Sequence, residues 1–195
     1  MKCFVLIMLA LALTCAAAFD EPPTLPPYLI GKFLRNLTRD SGFTQQQQTS
    51  FQADFQSGLS RSMSYWIQHG YSGSTDRLTL CNGTAQTFGG TQFGKEKGCE
   101  RGDAAELELE CSTIGIGIIP KVGFLSSSSF DGSPAISYSI KLFGVSITGY
   151  FDPTTELPVG IVYEDASTSD IYKFYDLKVS KPPSSSFSEL PVNCQ

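Results

Sequence analysis

Alternation of apolar and polar residues with a period of two is the feature that most limits how this chain can fold. After Ala105, Leu107, Leu109 and Cys111 alternate with three glutamates. Successive side chains of a strand point to opposite faces, so this segment has one apolar and one charged face, as in an antiparallel sheet with one solvated side. A helix would scatter the three glutamates around its axis. Residues 105–111 are therefore predicted to form an antiparallel strand.

The same period predicts further strands along most of the chain. They cover residues 51–55, 63–71, 114–118, 136–142, 145–151, 158–163 and 171–179. The glycines between Ile114 and Ile118 indicate either a close approach of backbone or ligand, or a bent sheet edge. The phase of the alternation shifts near Phe143-Gly144, which indicates a bulge or a turn between two strands.

A few segments depart from this pattern. Leu29, Phe33 and Leu37 recur at intervals of four, which predicts a short amphipathic helix over residues 29–39. The polar patches at 45–48, 126–129 and 184–186 are predicted to be loops.

The first eighteen residues contain Lys2, a short apolar run to Leu13 and three alanines at 16–18. This order is typical of a secretory signal peptide, and the run is too short to span a bilayer as a helix. We expect a signal peptide over residues 1–18, a single domain over 19–195 and secretion to the extracellular space. Loss of Lys2 changes the formal net charge from −5 to −6, which argues against nucleic acid or an anionic membrane surface as a partner.

Four cysteines remain in the mature chain: Cys81, Cys99, Cys111 and Cys194. An even number in an oxidising compartment predicts two disulfides, and the three possible pairings cannot be separated from the sequence. Any of them ties the C-terminal tail to the body of the domain. Two sequons, at Asn36 and Asn82, are predicted N-glycosylation sites.

The triplet Arg101-Gly102-Asp103 follows Cys99-Glu100. On an exposed loop, its guanidinium and carboxylate could engage an integrin-type receptor. The same triplet also suits a polar turn leading into the strand at Ala105, and we favour the turn.

No catalytic constellation stands out. The single histidine, His69, has no nucleophile elbow to serve, and no phosphate-binding loop is present. We expect no enzymatic activity, no cofactor and no metal site. The sequence lacks an EF-hand loop, so any calcium binding is expected to be weak.

Two segments resemble the ependymin-related proteins, whose wider relatives share the LolA-like lipoprotein-carrier fold. They are YFDPTTELPV at 150–159 and FSELPVNC at 187–194. The resemblance implies a mainly β (α+β) fold: a strongly curved antiparallel sheet or half-barrel with one or two short helices, stapled by disulfides. It also implies an apolar pocket for lipid-like ligands.

Large apolar residues at period-two positions are candidates for the lining of such a pocket, although such residues more often form the core. The candidates are Tyr65, Ile67, Tyr138, Ile140, Phe151 and Tyr163. We therefore expect a secreted glycoprotein that binds a hydrophobic small molecule or lipid. The alternative is a matrix or cell-adhesion protein that engages a cell-surface receptor through Arg101-Gly102-Asp103 and its glycans. A homodimer through an exposed strand edge is compatible with either function.

Overall fold

The computed structural model describes residue 23 and residues 25–81, 86–102, 124–142 and 144–195. These residues form eleven strands in one open, curved antiparallel sheet, together with two 3-10 turns. The predicted curved antiparallel sheet is confirmed, and the 3-10 turns are the only helical segments in the described part of the chain. The predicted strands at 105–111 and 114–118, the sequon at Asn82 and the leader at 1–18 lie outside the described residues.

Most of the strands follow one another closely along the chain, whereas residues 103–123, outside the described part, separate the sixth strand from the seventh. The strands are β1 Tyr28–Arg39, β2 Thr44–Asp54, β3 Leu59–Gln68, β4 Tyr71–Leu80, β5 Gln86–Phe93, β6 Glu96–Gly102, β7 Phe124–Phe130, β8 Ser133–Leu142, β9 Val145–Phe151, β10 Pro158–Glu164 and β11 Thr168–Lys178. The 3-10 turns span Ser184–Phe187 and Val192–Cys194.

The order of the strands in the sheet is β6-β5-β4-β3-β2-β1-β11-β10-β9-β8-β7. The strands from β1 to β6 pair with their neighbours in sequence, and so do those from β7 to β11. The antiparallel pairing of β1 with β11 joins these two halves. Short turns with positive φ angles make several of the hairpins, as at His69-Gly70 and Asp131-Gly132.

The helix predicted over residues 29–39 is wrong, because this segment is strand β1. A spacing of four is also two periods of a strand, so Leu29, Phe33 and Leu37 share one face in either conformation. The pairing of β1 on both sides, with β2 and with β11, decides between them.

Two predicted polar loops are also strands. Residues 45–48 belong to β2 and residues 126–129 to β7. Each lies in a strand that pairs with a neighbour, and most of their polar side chains are exposed to solvent. The alternating segment at 63–71 is not one strand, since β3 ends at Gln68 and β4 begins at Tyr71.

Other predicted strands are confirmed. The phase shift near Phe143-Gly144 marks the turn between β8 and β9, where Gly144 has a φ of 87°. The segments at 158–163 and 171–179 correspond to β10 and β11.

The two faces of the sheet differ sharply in burial. Side chains that point the same way as Phe51 form what we call the Phe51 face, and those that point the same way as Met63 form the Met63 face. The register assigns the rest, because directly opposed residues share a face. The buried cluster of the Phe51 face comprises Ile136, Tyr138, Phe151 and Ile161, with Leu25, Ile147, Tyr163, Tyr172 and Phe174 packed against it.

The tail after β11 folds back over the Met63 face and is held there by a disulfide. Cys194, in the last 3-10 turn, is bonded to Cys99 of β6, 95 residues earlier in the sequence. Cys81 is disulfide-bonded as well, and Cys111 lies outside the described residues. The prediction that Cys194 ties the tail to the body is confirmed.

Candidate ligand-binding groove

A groove crosses the Met63 face along one row of directly opposed residues. Lys32 of β1 faces Ser50 of β2, Ser50 faces Met63 of β3, Met63 faces Asp76 of β4, and Asp76 faces Gly90 of β5. Ser50 and Gly90 of this row are small, and longer side chains of the neighbouring row, such as Gln48 and Tyr65, also line the groove.

The groove consists of two adjoining sections. One, of about 440 Å³, lies over β11, β1, β2 and β3, and the other, of about 420 Å³, lies over β2, β3 and β4 and against the tail. Ser50 and Met63 line both sections, so the two are continuous. Each is within the size range of sites that hold small organic ligands.

Apolar side chains line the section next to the tail. Met63 is 61% exposed and Tyr65 is 52% exposed, and Val192 on the tail is 74% exposed. Ile30 contributes to the other section. The groove therefore offers apolar surface that no described part of the chain covers.

The tail forms one wall of the groove and is anchored from beneath by Arg61. The guanidinium of Arg61 binds the carboxylate of Asp76 through two hydrogen bonds of 2.9 and 2.6 Å. It also donates to the carbonyl oxygens of Ser186 and Glu189, each at 3.1 Å. Its hydrogen bonds to Asp76 raise the pKa of Arg61, so the guanidinium stays charged while it binds the tail.

Gly90 allows the tail to lie close to the sheet. A Cβ atom at this position would come within 2.9 Å of the Cβ of Pro191, which is closer than real Cβ contacts. The side chain of Asn193 adds a hydrogen bond of 2.9 Å to the carbonyl oxygen of Thr91. The edge disulfide, Arg61 and Gly90 thus hold the tail at three separate places.

The Phe51 face contains a different site, which is built around an ion pair. Arg35 makes a bidentate contact with Asp170 at 2.9 and 2.7 Å, and its guanidinium lies 5.3 Å from the centre of the Tyr172 ring. The hydrogen bond to Asp170 raises the pKa of Arg35, and burial raises the pKa of Tyr163 and of Tyr172. Arg35 therefore stays charged at neutral pH, and Tyr163 and Tyr172 stay neutral.

A smaller cavity of about 230 Å³ adjoins this ion pair and is lined by Tyr163, Tyr172 and Asp170. The charges of Asp170 and Arg35 already satisfy each other, and no buried polar side-chain atom in the described residues lacks a hydrogen-bond partner. This cluster is therefore complete without a ligand, in contrast to the uncovered groove on the Met63 face.

The six predicted pocket residues do not lie on one face. The register places Tyr138, Ile140, Phe151 and Tyr163 on the Phe51 face, where Tyr138 and Phe151 belong to the buried cluster and Tyr163 lines the small cavity. It places the other two, Tyr65 and Ile67, on the Met63 face, where Tyr65 lines the groove and Ile67 lies exposed beyond it.

The candidate glycosylation site and the candidate adhesion motif lie in different parts of the sheet. Asn36 is exposed on β1 and points to the Met63 face. Arg101 and Gly102 are part of strand β6, paired with Phe88 and Thr87, and are not in a turn. The guanidinium of Arg101 lies 5.8 Å from the centre of the Phe88 ring, and Asp103 lies outside the described residues.

Several groove residues were not identified from the sequence. Lys32, Ser50, Arg61 and Val192 belong to no motif, and only the strand register and the return of the tail bring them together. The one signal of the groove in the sequence is the alternation around Met63 and Tyr65. It places both residues on the same face of a strand but does not show that this face is exposed.

Comparison with known proteins gives little further information. No protein-family model matches the chain, and no curated protein matches it. A LolA superfamily protein of known structure from Nitrosomonas europaea is similar with a TM-score of 0.40 and 7% identity, covering 86% of this chain and 93% of that protein. PNGF-II is similar with a TM-score of 0.28 and 8% identity, over 84% of this chain but only 31% of PNGF-II. With TM-scores below 0.5, neither likeness bears on the function of this chain.

Two kinds of feature are absent from the described residues. None of their helical segments is long and apolar enough to cross a membrane. Within the same residues, no three side chains of His, Cys, Asp or Glu are grouped as a metal site would need.

Proposed function

We propose that this protein is a secreted, non-enzymatic binding protein that holds a hydrophobic ligand in the groove of the Met63 face. One observation carries the proposal: large apolar side chains, Met63, Tyr65 and Val192, are exposed together in a single concave site. Apolar surface gathered in a groove with a few polar groups at its margins is typical of ligand-binding sites.

Folding does not require these exposed side chains. Most of the core is formed by the Phe51 face, where Phe151 is 1% exposed and packs edge to face with Tyr138. Because Met63 and Tyr65 stay exposed to water, they contribute little to the stability of the fold. A ligand that covers them removes apolar surface of both the protein and the ligand from solvent. Each methylene group buried in this way contributes about 0.8 kcal/mol, so binding needs no covalent step.

Secretion is supported by two independent features. The leader-like segment at 1–18 is one, and the Cys99–Cys194 disulfide is the other, because such bonds persist in oxidising compartments. The exposure of Asn36 is compatible with an N-glycan at that position.

The test begins with the protein secreted from eukaryotic cells. Native mass spectrometry before and after organic extraction identifies any hydrophobic molecule bound in stoichiometric amount. The extracted protein is then titrated with an environment-sensitive fluorescent hydrophobe. We expect saturable binding to one site.

Variants locate that site. Met63→Ser and Tyr65→Ser should each weaken binding roughly fivefold or more, because each removes apolar contact area. Ile171→Ser is the matched control, since Ile171 is an exposed apolar residue on the same face but outside the groove. A protein that binds no hydrophobe, or one in which all three variants behave alike, would disprove the proposal.

A further inference from the structure

The end of the groove over β11 and β1 is positively charged. Lys32, Arg61 and Lys178 line this section, and among the described residues the only carboxylate that lines it is that of Asp176. The whole chain has a formal net charge of −5, so the charge here is opposite in sign to that of the protein. The other section exposes Met63, Tyr65 and Val192 together with polar side chains such as that of Asp76, and Met63 is common to both sections.

Two of these three cations can accept an anionic partner. Lys178 makes no ion pair within the described parts of the chain, and Lys32 contacts Asp176 at 3.1 Å in a pair whose side chains are 42% and 61% exposed. Exposed pairs of this kind are weak, so a ligand can compete for the ammonium group. Arg61 is different, because Asp76 and two tail carbonyls already occupy its guanidinium.

We propose that the groove selects single-chain amphiphiles with an anionic head group. The head group lies between Lys32 and Lys178, and the alkyl chain extends across the strands over Met63 towards Tyr65 and Val192. The inference rests on the proposed function, to which it adds the class and the orientation of the ligand. Five strands from β11 to β4 span roughly 19 Å at the usual spacing, which leaves room for an extended chain.

The physical basis is a charge at one end of an apolar track. The alkyl chain supplies most of the affinity, as it would for any hydrophobe. The two ammonium groups add a preference for an anion, because each exposed charge pair contributes about 0.2–1 kcal/mol, which corresponds to a change in affinity by a factor of about 1.4 to 5. Salt screens this part of the affinity and leaves the apolar part.

The experiment compares dodecanoate, dodecanol and dodecyltrimethylammonium. The three compounds have the same alkyl chain length, and their head groups are anionic, neutral and cationic, respectively. Calorimetric titration at pH 7.5, at low and at high salt, is carried out on the extracted, full-length secreted protein below the critical micelle concentrations. Dodecanoate should bind tightest and the cation weakest. Lys32→Gln and Lys178→Gln should each weaken dodecanoate binding by a factor of about 1.4 to 5 and leave dodecanol binding unchanged.

Lys141→Gln is the matched control. Lys141 is an exposed lysine on the same face, but it lies on β8, four strands away from β1 in the sheet. The Lys141→Gln substitution removes one positive charge outside the groove, so the affinity for dodecanoate should not change.

The outcomes separate the two claims. If the three amphiphiles bind alike and the lysine variants have no specific effect, the head-group inference is wrong while the proposed function stands. Tighter binding of the cation would likewise overturn the inference. If none of the three binds, the proposed function and the inference both fail.

Discussion

The two faces of this sheet are both rich in apolar residues, but most of the buried apolar side chains lie on the Phe51 face. On the Phe51 face, Phe33 contacts Phe51, Tyr172 and Phe174 with ring centres 5.5 to 6.1 Å apart. On the Met63 face, Met63 and Tyr65 lie on one strand with a comparable alternation and are more than half exposed. Alternation therefore assigns side chains to faces, whereas the rest of the chain decides which face becomes the core.

The polar groups of the two faces differ in the same way. Arg35 and Asp170 satisfy each other on the Phe51 face, with Tyr172 against both. On the Met63 face the tail uses Arg61, while Lys32 and Lys178 remain accessible at the edge of the groove. A satisfied polar cluster stabilises a fold, and accessible charges beside uncovered apolar surface can serve a ligand.

The largest expected difference between the faces is in stability. Phe151→Ala should lower the free energy of unfolding by about 3–5 kcal/mol, because it leaves a cavity in the buried cluster. Met63→Ala should change it by less than about 0.5 kcal/mol, as is usual for exposed sites. Denaturant unfolding followed by circular dichroism measures both. Similar losses for the two variants would show that the Met63 face is also part of the core.

The next largest effect concerns the tail that walls the groove. Replacing Cys194 by Ser should lower the free energy of unfolding by about 2–4 kcal/mol, since the disulfide closes a long loop. It should also weaken hydrophobe binding, because Val192 and Asn193 lose their fixed position beside Met63.

Cys99→Ser is the matched variant, because it removes the same disulfide. The double variant should be no less stable than either single variant and should bind the hydrophobe no more weakly. Unchanged ligand affinity in all three variants would show that the tail contributes nothing to the groove.

The smallest expected effect on stability comes from a hydrogen-bonded carboxylate in the turn that follows Phe151. The carboxylate of Asp152 accepts hydrogen bonds from the backbone N–H groups of Thr155 and Thr154, which lower its pKa below the ordinary value. Since the folded-state pKa is depressed, this stabilisation is present at neutral pH and is lost as the pH falls through the folded value, below about pH 4.

The pH dependence can be isolated with Asp152→Asn. The variant should be less stable than the parent by no more than about 1 kcal/mol at pH 7, and the difference should shrink below pH 4. Parallel unfolding curves at pH 7 and pH 3 measure it. A constant difference across this range would contradict the role of the carboxylate.

Much of the fold could be predicted from local sequence. Period-two alternation is a property of neighbouring residues, so β8, β9, β10 and β11 could be located without knowledge of their partners. The turn at Gly144 followed from the change of phase. The error at Leu29 arose because an interval of four fits both helix and strand, and only the pairing of β1 on both sides resolves it.

The groove could not be predicted in the same way. Its row joins Lys32, Ser50, Met63, Asp76 and Gly90, which are opposed only because four hairpin registers align. Its wall comes from a tail more than a hundred residues further along the chain. The six candidate pocket residues were chosen as apolar members of strands, and nothing in their own segments shows which of the two faces each one joins.

The position of the ligand on the Met63 face can be observed directly, because the chain contains a natural reporter residue for each face. Met63 is the only methionine outside the leader-like segment, and it lies in the groove. Trp66 is the only tryptophan, and it stacks on Phe93 on the opposite face. Methyl-labelled methionine and indole-labelled tryptophan are observed by NMR while dodecanoate is added. We predict a saturable shift of the Met63 methyl signal with an unchanged Trp66 indole signal. A shift of Trp66 alone would place the ligand on the Phe51 face and contradict the account.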